Sequence, residues 1–405
     1  PPKFSAKAEM ARLRDLATLA KNAGIEVPGV EEKLVDPTYE ARLVAAEKQL
    51  REAYRQSAHY GPAARERRGP EAEALREEIR TGKAKGLSFA ERDLTGIDLS
   101  NMDLSGLDLR AAMMERVDFS GSDLRRANLD DAVLTRADLS GAKLTGASIR
   151  NANLGSTKNL GADYEGAQLT GAILHQANLA ETRLSKADLT GADLTGATFR
   201  DTDFAGVTAP RLRVLSTDLT GLSCRGADLR HAVFIECTLP GVDFSGAFLT
   251  SATFVECKGD GASFAGAELD NLRVVKGSSF EGCSFQKARM NGANLRGTSL
   301  ARSDFSGVEM RSADFSEANL QGADFTGAIA PDAMFVKSDL RGATMASIDL
   351  MQGLLQKAKL HGADLTGSNL FRVDFAKVEA DEHTAFDGAN LKQIRVVARG
   401  PHGPG

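Results

Sequence analysis

Large apolar residues recur at every fifth position along residues 87–391. In the run ADLSGAKLTG at 137–146, a leucine fills each large position and an alanine lies two residues before it. The other positions are mostly Asp, Asn, Ser, Thr, Arg and Gly. The frame holds to Val274 and restarts one residue later at Phe280.

A period of five residues matches neither the helical period of about 3.6 nor the strand period of about 2. A unit with two inward and three outward residues instead predicts one side of a coil. Such coils stack about 4.8 Å apart through backbone hydrogen bonds. One coil cannot bury its inward side chains alone, so its stability comes from stacked neighbours. The pattern therefore predicts an all-β solenoid.

Many of these units read A(D/N)LXX, for example at 127–131 and 363–367, and the stretch resembles the pentapeptide-repeat family. The resemblance implies a right-handed quadrilateral β-helix with four pentapeptides per coil, which gives about 15 coils for residues 87–391. It specifies the fold more than the function, because the fold is a scaffold used for different purposes.

Residues 1–86 lack the five-residue period and are predicted to form a small α-helical N-terminal region. Ser5 is a candidate N-cap, Asp36 and Pro37 favour the start of a second helix, and Pro70 favours the start of a third. We expect these helices either to cap the first coil or to act as a docking module.

Several irregularities carry their own expectations. Pro210 and Pro331 fall on the same side and should interrupt the inter-coil hydrogen bonds, because proline has no N–H. The residue inserted before Phe280 should form a bulge at a corner. Residues 392–405 are predicted to form a C-terminal strand that includes Val397, followed by a disordered tail.

Two expectations concern the interior. Five phenylalanines should form a continuous stack on one side in successive coils: Phe244, Phe264, Phe285, Phe305 and Phe325. Three alanines should fill small inward positions: Ala187, Ala192 and Ala197.

The composition does not favour catalysis. None of the six His residues lies at ligand spacing to another His or to a Cys, and neither a phosphate-binding GxxxxGK[ST] nor a GxSxG nucleophile motif occurs. Trp is absent and only four Tyr are present, so base-stacking surfaces are not expected. We expect no enzyme activity, no cofactor, no metal and no direct nucleic-acid binding.

Four cysteines and the lack of a membrane span bear on the compartment. Cys237 and Cys257 are one coil apart on the same side, within disulfide range, but buried thiols acting as small hydrophobic residues are favoured. Buried thiols fit a reducing cytoplasm. No apolar run of about 18 residues exists, so no membrane association is expected. We expect a cytoplasmic bacterial protein.

Two binding functions remain. The first is a non-catalytic protein–protein interaction scaffold. The alternative, which the family resemblance offers, is a DNA mimic that binds DNA gyrase. A mimic needs a dense acidic face, whereas cations such as Arg110, Arg125 and Lys143 are interspersed among the outward positions. The net charge of −5 over 405 residues is mild.

Residues 94–109 follow an Ala-, Glu- and Arg-rich helical stretch and resemble the C-terminal part of pentapeptide proteins associated with bacterial type VI secretion. This resemblance implies an adaptor that loads an effector, so that the partner would be an effector or a spike protein. The N-terminal domain usual in those adaptors has no counterpart in this chain.

One side of the solenoid carries the candidate binding residues. The residue after each large position is usually Ser, Thr or Arg, but in four successive coils it is Leu215, Ile235, Val255 and Val275, and Val233 adjoins them. The rim of this apolar stripe consists of Arg213, Glu236, Glu256, Arg273 and Lys276. An apolar stripe with a charged rim is typical of a protein-binding surface. Two alternatives are that β-branched residues merely suit a strand surface, and that the N-terminal helices fold back to cover the stripe.

Overall fold

The computed structural model describes residues 2–275 and 277–396. In residues 93–395, parallel backbone pairs join residues 20 apart, beginning with Asp93 and Met113. Each coil therefore contains four five-residue units and has four sides. Around the inserted residue the offset becomes 21, as in the pair Lys258–Ser279; it then returns to 20 and becomes 21 again in the last coil, as in the pair Asp364–Ala385.

A single unit shows how coils are joined. The N–H of Leu109 donates to the carbonyl of Asn128 in the next coil over 2.8 Å. The N–H of Ala111 donates to the carbonyl of Asp130 over 2.8 Å. A turn within the unit is closed by the N–H of Ala112, which donates to the carbonyl of Leu109 over 3.2 Å. Each unit thus contributes to a turn and to the series of inter-coil hydrogen bonds, which we call the ladder.

At four places the pairing between coils extends from a single residue to two or three consecutive residues, which form short β-strands. They are β1 (Arg213–Leu215), β2 (Val233–Ile235), β3 (Thr253–Val255) and β4 (Arg273–Val274), and they form one parallel sheet in the order β1-β2-β3-β4.

The predicted phenylalanine stack is confirmed. The rings of Phe244, Phe264, Phe285, Phe305 and Phe325 lie 4.7 to 5.1 Å apart between successive centroids and are nearly parallel. The chain therefore accommodates the inserted residue without breaking the stack, and phenylalanine lies above phenylalanine in successive coils. Stacked aromatic rings at this spacing add to the burial of apolar area.

The ladder opens on two sides between residues 190–200 and 210–220. No bond joins the N–H of Leu194 to the next coil, and the N–H groups of Arg213 and Leu215 have no partner in the preceding coil, within the residues that the structure describes. The other two sides stay joined in register, for example by the pair Thr208–Asp228. The coils are thus held together along one half and separated along the other.

The inward residues of the coil at 209–228 give a physical reason for this opening. Positions that normally hold a large side chain hold Ala209, Val214 and Cys224, while positions that normally hold alanine hold Leu212 and Leu222. The total volume is partly conserved, but bulk is moved to different points of the coil. The exchange at Leu212 and Val214 lies on an open side, where overpacking pushes neighbouring backbone apart, whereas the exchange at Leu222 and Cys224 lies on a side that stays joined through Asp203–Ser223.

The expectation that both prolines interrupt the inter-coil hydrogen bonds was wrong for Pro331. The missing proline N–H is also not the cause of the opening near Pro210. At Pro331 the ladder is intact, since the N–H of Ser312 donates to the carbonyl of Pro331 over 3.0 Å. Proline occupies the turn position whose N–H does not enter the ladder. At the equivalent position, the N–H of Arg110 donates to the side chain of Asp108 over 3.3 Å. Loss of that donor therefore leaves the inter-coil bonds unaffected, and Pro210 does not explain the opening.

The expectation for Ala192 is met only in part, since this residue packs against the core but is not fully buried. Ala187 and Ala197 are buried as predicted, but Ala192 is only partly buried because it lies beside the open part of the ladder. Together with Pro210 and Leu212 it lines a surface cleft of about 430 Å³.

The N-terminal region contains four α-helices: α1 (Ala6–Ala23), α2 (Val30–Val35), α3 (Tyr39–Ser57), which continues as a 3₁₀ turn at Ala58–Tyr60, and α4 (Pro70–Ala84). The side chain of Ser5 accepts the N–H of Ala8, as expected for an N-cap. The short helix α2 was not predicted; its buried residue Val30 packs against α1.

The chain then returns to the first coil. After α3, residues 61–69 run back along the solenoid, where the N–H of Arg67 donates to the carbonyl of Gly96 over 2.7 Å. The helix α4 covers the open end, with Ile79 fully buried in the solenoid core. Gly82 is required there, because a Cβ at this position would lie 2.5 Å from the Phe89 ring.

At the other end, Arg395 pairs with Asp374. Val397 and residues 398–405 of the predicted terminal strand and tail lie outside the described residues.

We expect Phe285→Ala to lower the free energy of unfolding by about 3–5 kcal/mol, because it removes a ring from the middle of the stack and leaves a cavity. Guanidinium denaturation of both proteins measures this difference. Gln286→Ala, a change of the exposed neighbour, should stay within about 0.5 kcal/mol of the parent chain. Equal stability of Phe285→Ala and the parent would contradict the packing described here.

We expect the amide protons of Leu194 and Arg213 to exchange with solvent at least about tenfold faster than those of Leu174 and Val233, because only the latter pair have inter-coil partners. Hydrogen–deuterium exchange resolved to single residues measures the four rates. Equal protection of all four would show that the ladder is closed in solution.

Candidate protein-binding surface

The five predicted residues lie together on one side of the solenoid. In the sheet register Leu215 is opposite Ile235, and Ile235 is opposite Val255. Val275 extends this row, since its N–H donates to the carbonyl of Phe254 over 2.8 Å. The five residues therefore form the continuous apolar stripe that the sequence suggested.

The apolar stripe is on the surface. Leu215 is 58% exposed and Val275 is 42% exposed, while Val233, Ile235 and Val255 are half-buried. The N-terminal helices do not cover it. That alternative explanation of the pattern is therefore wrong.

The floor beneath the apolar stripe is rigid. Phe234 and Phe254 point inward from β2 and β3 and stack with their ring centroids 4.8 Å apart. Cys237 and Cys257 lie beside them, and all four cysteines of the chain are buried free thiols. Burial raises the pKa of the Cys283 thiol to about 12 and also raises that of Cys224, so these groups are protonated and inert near neutral pH.

The edges of the apolar stripe differ in charge. Exposed Glu236 and Glu256 follow Ile235 and Val255 along one edge. Arg213 and Arg273 lie along the other edge, and neither makes an ion pair with another described residue. The remaining rim residue, Lys276, lies outside the described part of the chain. The surface thus offers an acidic edge, an apolar centre and a basic edge.

Elsewhere on the same side, α3 is docked against earlier coils. Met113 and Val133 occupy the same position in their coils as Val233 does in its own, and they form a buried cluster with Ala58. Tyr54 strengthens this contact, since its hydroxyl donates to Glu115 over 2.6 Å. Burial and the adjacent carboxylate raise the pKa of Tyr54, which keeps the hydroxyl protonated as the donor.

The end of α3 is held by a buried polar contact. The side-chain oxygen of Asn153 accepts the N–H of Gly155 over 2.9 Å, so its amide nitrogen is the donor toward His59. That nitrogen lies 3.0 Å from Nδ1 of His59, which is therefore an unprotonated acceptor. Gly155 permits this approach, because a Cβ there would lie 2.4 Å from the Cβ of His59.

Two features of this side were missed by sequence reasoning. Apolar residues return at its far end, where Met334, Val336 and Leu354 are half-buried. The docking of α3 was also missed. The signal for the docking of α3 was present in Met113 and Val133, which are apolar residues at outward positions of the repeat; Met334, Val336 and Leu354 gave the same signal at the far end.

No chemistry beyond binding is evident at this surface. The described residues contain no group of His, Cys, Asp and Glu that could hold a metal ion. No described helix is long and apolar enough to span a membrane.

Comparison with protein-family models identifies the repeat. A model described as pentapeptide repeats matches residues 88–121, 118–155, 162–201, 216–250 and 241–271, and one described as a pentapeptide repeat region matches 278–352. Together the matches cover more than half of the chain. Between residues 88 and 352 the matches leave out 156–161, 202–215 and 272–277, and the last of these gaps holds the inserted residue.

Solved structures were also compared. The plasmid-mediated fluoroquinolone resistance protein QnrB1 is 23% identical, and the match covers 45% of this chain and 92% of QnrB1 with a TM-score of 0.30. HetL, a pentapeptide repeat protein involved in heterocyst differentiation regulation in the cyanobacterium Nostoc sp. strain PCC 7120, is 25% identical over 71% of this chain and 95% of HetL, with a TM-score of 0.14.

Rfr23, a pentapeptide repeat protein from the cyanobacterium Cyanothece 51142, is 23% identical over 30% of this chain and 92% of Rfr23, with a TM-score of 0.19. Comparison with curated protein sequences finds no match.

We expect the contact at the end of α3 to weaken as the pH falls. Burial and the nearby His175 lower the pKa of His59, so the folded state favours the neutral ring. The stabilisation is complete above the unfolded-state pKa of about 6.5 and is lost as the pH falls through the lower folded-state value. The protection factors of the amides of residues 58–60, which compare each exchange rate with the intrinsic rate at the same pH, should therefore be lower at pH 5 than at pH 8.

His59→Gln should remove the difference in protection of residues 58–60 between pH 5 and pH 8. His231→Gln, at an exposed site away from α3, should preserve that difference. Equal protection of residues 58–60 at both pH values in the parent chain would contradict the assignment.

Proposed function

Because the chain belongs to the pentapeptide-repeat family, whose members are generally non-catalytic scaffolds that fold as right-handed quadrilateral β-helices, we propose that it captures a partner protein on the apolar stripe. In this proposal the solenoid supplies a rigid rod, and Leu215, Val233, Ile235, Val255 and Val275 supply the contact.

The observation that carries the proposal is the exposure of this row above a stacked aromatic floor. Outward positions of the repeat elsewhere are mostly polar, whereas here four successive coils present branched aliphatic side chains. Burying such a row releases about 25 cal/mol for each Å² of apolar surface. A rigid floor reduces the entropy lost on binding, so more of that free energy appears as affinity.

For the identity of the partner, the resemblance of residues 94–109 to adaptors associated with type VI secretion suggests the first candidates to test. In this narrower form the chain would be an adaptor or chaperone in the bacterial cytoplasm that loads a secretion effector or contacts a spike protein. This form rests on the sequence resemblance alone.

The charge arrangement opposes the DNA-mimic alternative. Outward carboxylates are repeatedly paired with an arginine two residues later, as in Asp123–Arg125 and Asp228–Arg230. Such pairs lower the pKa of both carboxyl groups and also neutralise their charge toward a partner. A surface of paired charges lacks the continuous negative potential of a DNA duplex.

We expect the double substitution Ile235→Asp and Val255→Asp to abolish partner capture, because it places two carboxylates in the centre of the apolar stripe. Tagged full-length chain and this variant would be used to capture proteins from the native bacterium, and the captured proteins would be quantified by mass spectrometry. Unchanged capture of every enriched protein would refute the proposal.

The matched control is Ile329→Asp, which adds a carboxylate at a 48% exposed apolar residue outside the stripe. It should leave capture unchanged. Circular dichroism and thermal unfolding of all three proteins confirm that the fold is intact, so that any loss of capture reports the surface.

A further inference from the structure

The docked helix α3 shows what kind of segment this side of the solenoid accepts. Arg51 donates to the carbonyl of Glu91, and Tyr54 donates to Glu115 in the next coil. Ala58 then packs on Met113 and Val133. The contacts of α3 advance from Glu91 to Glu115 and then to Val133, one coil further on each time, so α3 runs broadly along the solenoid axis.

The dimensions explain this arrangement. Residues three apart on an α-helix are separated by about 4.5 Å along its axis, and four apart by about 6 Å. Adjacent coils are about 4.8 Å apart. A helix laid along the axis can thus place one side chain on every coil with little loss of register.

The apolar stripe continues the side that α3 occupies. Val133, under α3, and Val233, in the apolar stripe, occupy equivalent positions five coils apart. The 3₁₀ turn after α3 ends at Tyr60, beside His175, before the stripe begins. The stripe therefore lies on the same side of the solenoid as α3, beyond the end of that helix and beyond the open ladder between Asp193 and Arg213.

We propose that the apolar stripe binds an amphipathic α-helix of the partner, oriented along the solenoid axis. This inference rests on the proposed function and specifies the partner segment. Four coils span about 14 Å, which corresponds to nine or ten helical residues. The apolar residues of the segment recur at i, i+3 or i+4, and i+7.

The charged edges define the polar flanks of that helix. Glu236 and Glu256 favour Lys or Arg on the flank above them. Arg213 and Arg273 favour Asp or Glu on the opposite flank. The segment is thus amphipathic, with one basic and one acidic flank. These flanks fix the rotation of the helix about its own axis. Together with the direction of the helix, they also fix which of its residues contacts each coil.

An extended segment is the competing occupant, because the N–H groups of Arg213 and Leu215 are unpaired on the edge of β1. Such a segment would add a strand to the sheet and would show apolar residues with a period of two. A second copy of the chain is the other competitor. The experiment therefore has to distinguish a helical segment from an extended segment and from a second copy of the chain.

A displayed library of random 16-residue peptides would be selected on the immobilised full-length chain, with the Ile235→Asp and Val255→Asp double variant as the counter-selection target. We expect the enriched peptides to carry the helical apolar spacing. The best synthetic peptide should become helical on binding, as seen by circular dichroism, and a central proline should weaken its binding at least tenfold, because proline breaks a helix.

The same peptide should bind the double variant at least tenfold more weakly than the parent chain, and Ile329→Asp as well as the parent. Binders that depend on the stripe but tolerate proline and alternate with a period of two would overturn the helix inference and leave the proposed function standing. Absence of any binder that depends on the stripe would count against both.

Light scattering tests the remaining competitor. The parent chain and the double variant should have the same mass in solution. A dimer that becomes a monomer on Ile235→Asp and Val255→Asp would show that a second copy occupies the stripe, and would overturn the inference.

Discussion

The structure depends on one geometric constraint: every coil must place its backbone donors and acceptors opposite those of its neighbours. A parallel ladder with an offset of 20 residues, or 21 where a residue is inserted, meets that constraint. The same offset brings equivalent side chains above one another, so inward residues stack into columns and outward residues line up into rows. The phenylalanine column and the apolar stripe are therefore two results of a single register.

The register could be predicted from sequence because it is written in the spacing of large residues. That spacing specified the five-residue unit, the continuous Phe stack and the alignment of Leu215 with Ile235. The inserted residue did not obscure the stack, since the frame before Val274 and after Phe280 is unambiguous. Regular arrays are predictable in this way because each unit meets the same environment as its neighbours.

The remaining features depend on contacts between distant segments, which the spacing does not encode. The helix α2 and the docking of α3 on Met113 and Val133 are tertiary contacts. The open ladder coincides with an exchange of large and small inward residues at Leu212 and Val214, and the effect of such an exchange depends on how the coils relax. The role of proline was misjudged for a local reason, since the turn position that it occupies donates no inter-coil bond.

The opening between residues 190–200 and 210–220 also has a mechanical consequence. Two sides remain bonded there, as at Thr208–Asp228, while the opposite two are not. A beam joined along only half of its cross-section is stiff against compression but compliant to bending about the intact edge. Under a lateral load the rod should therefore flex at this point, and the sections on either side should move relative to each other.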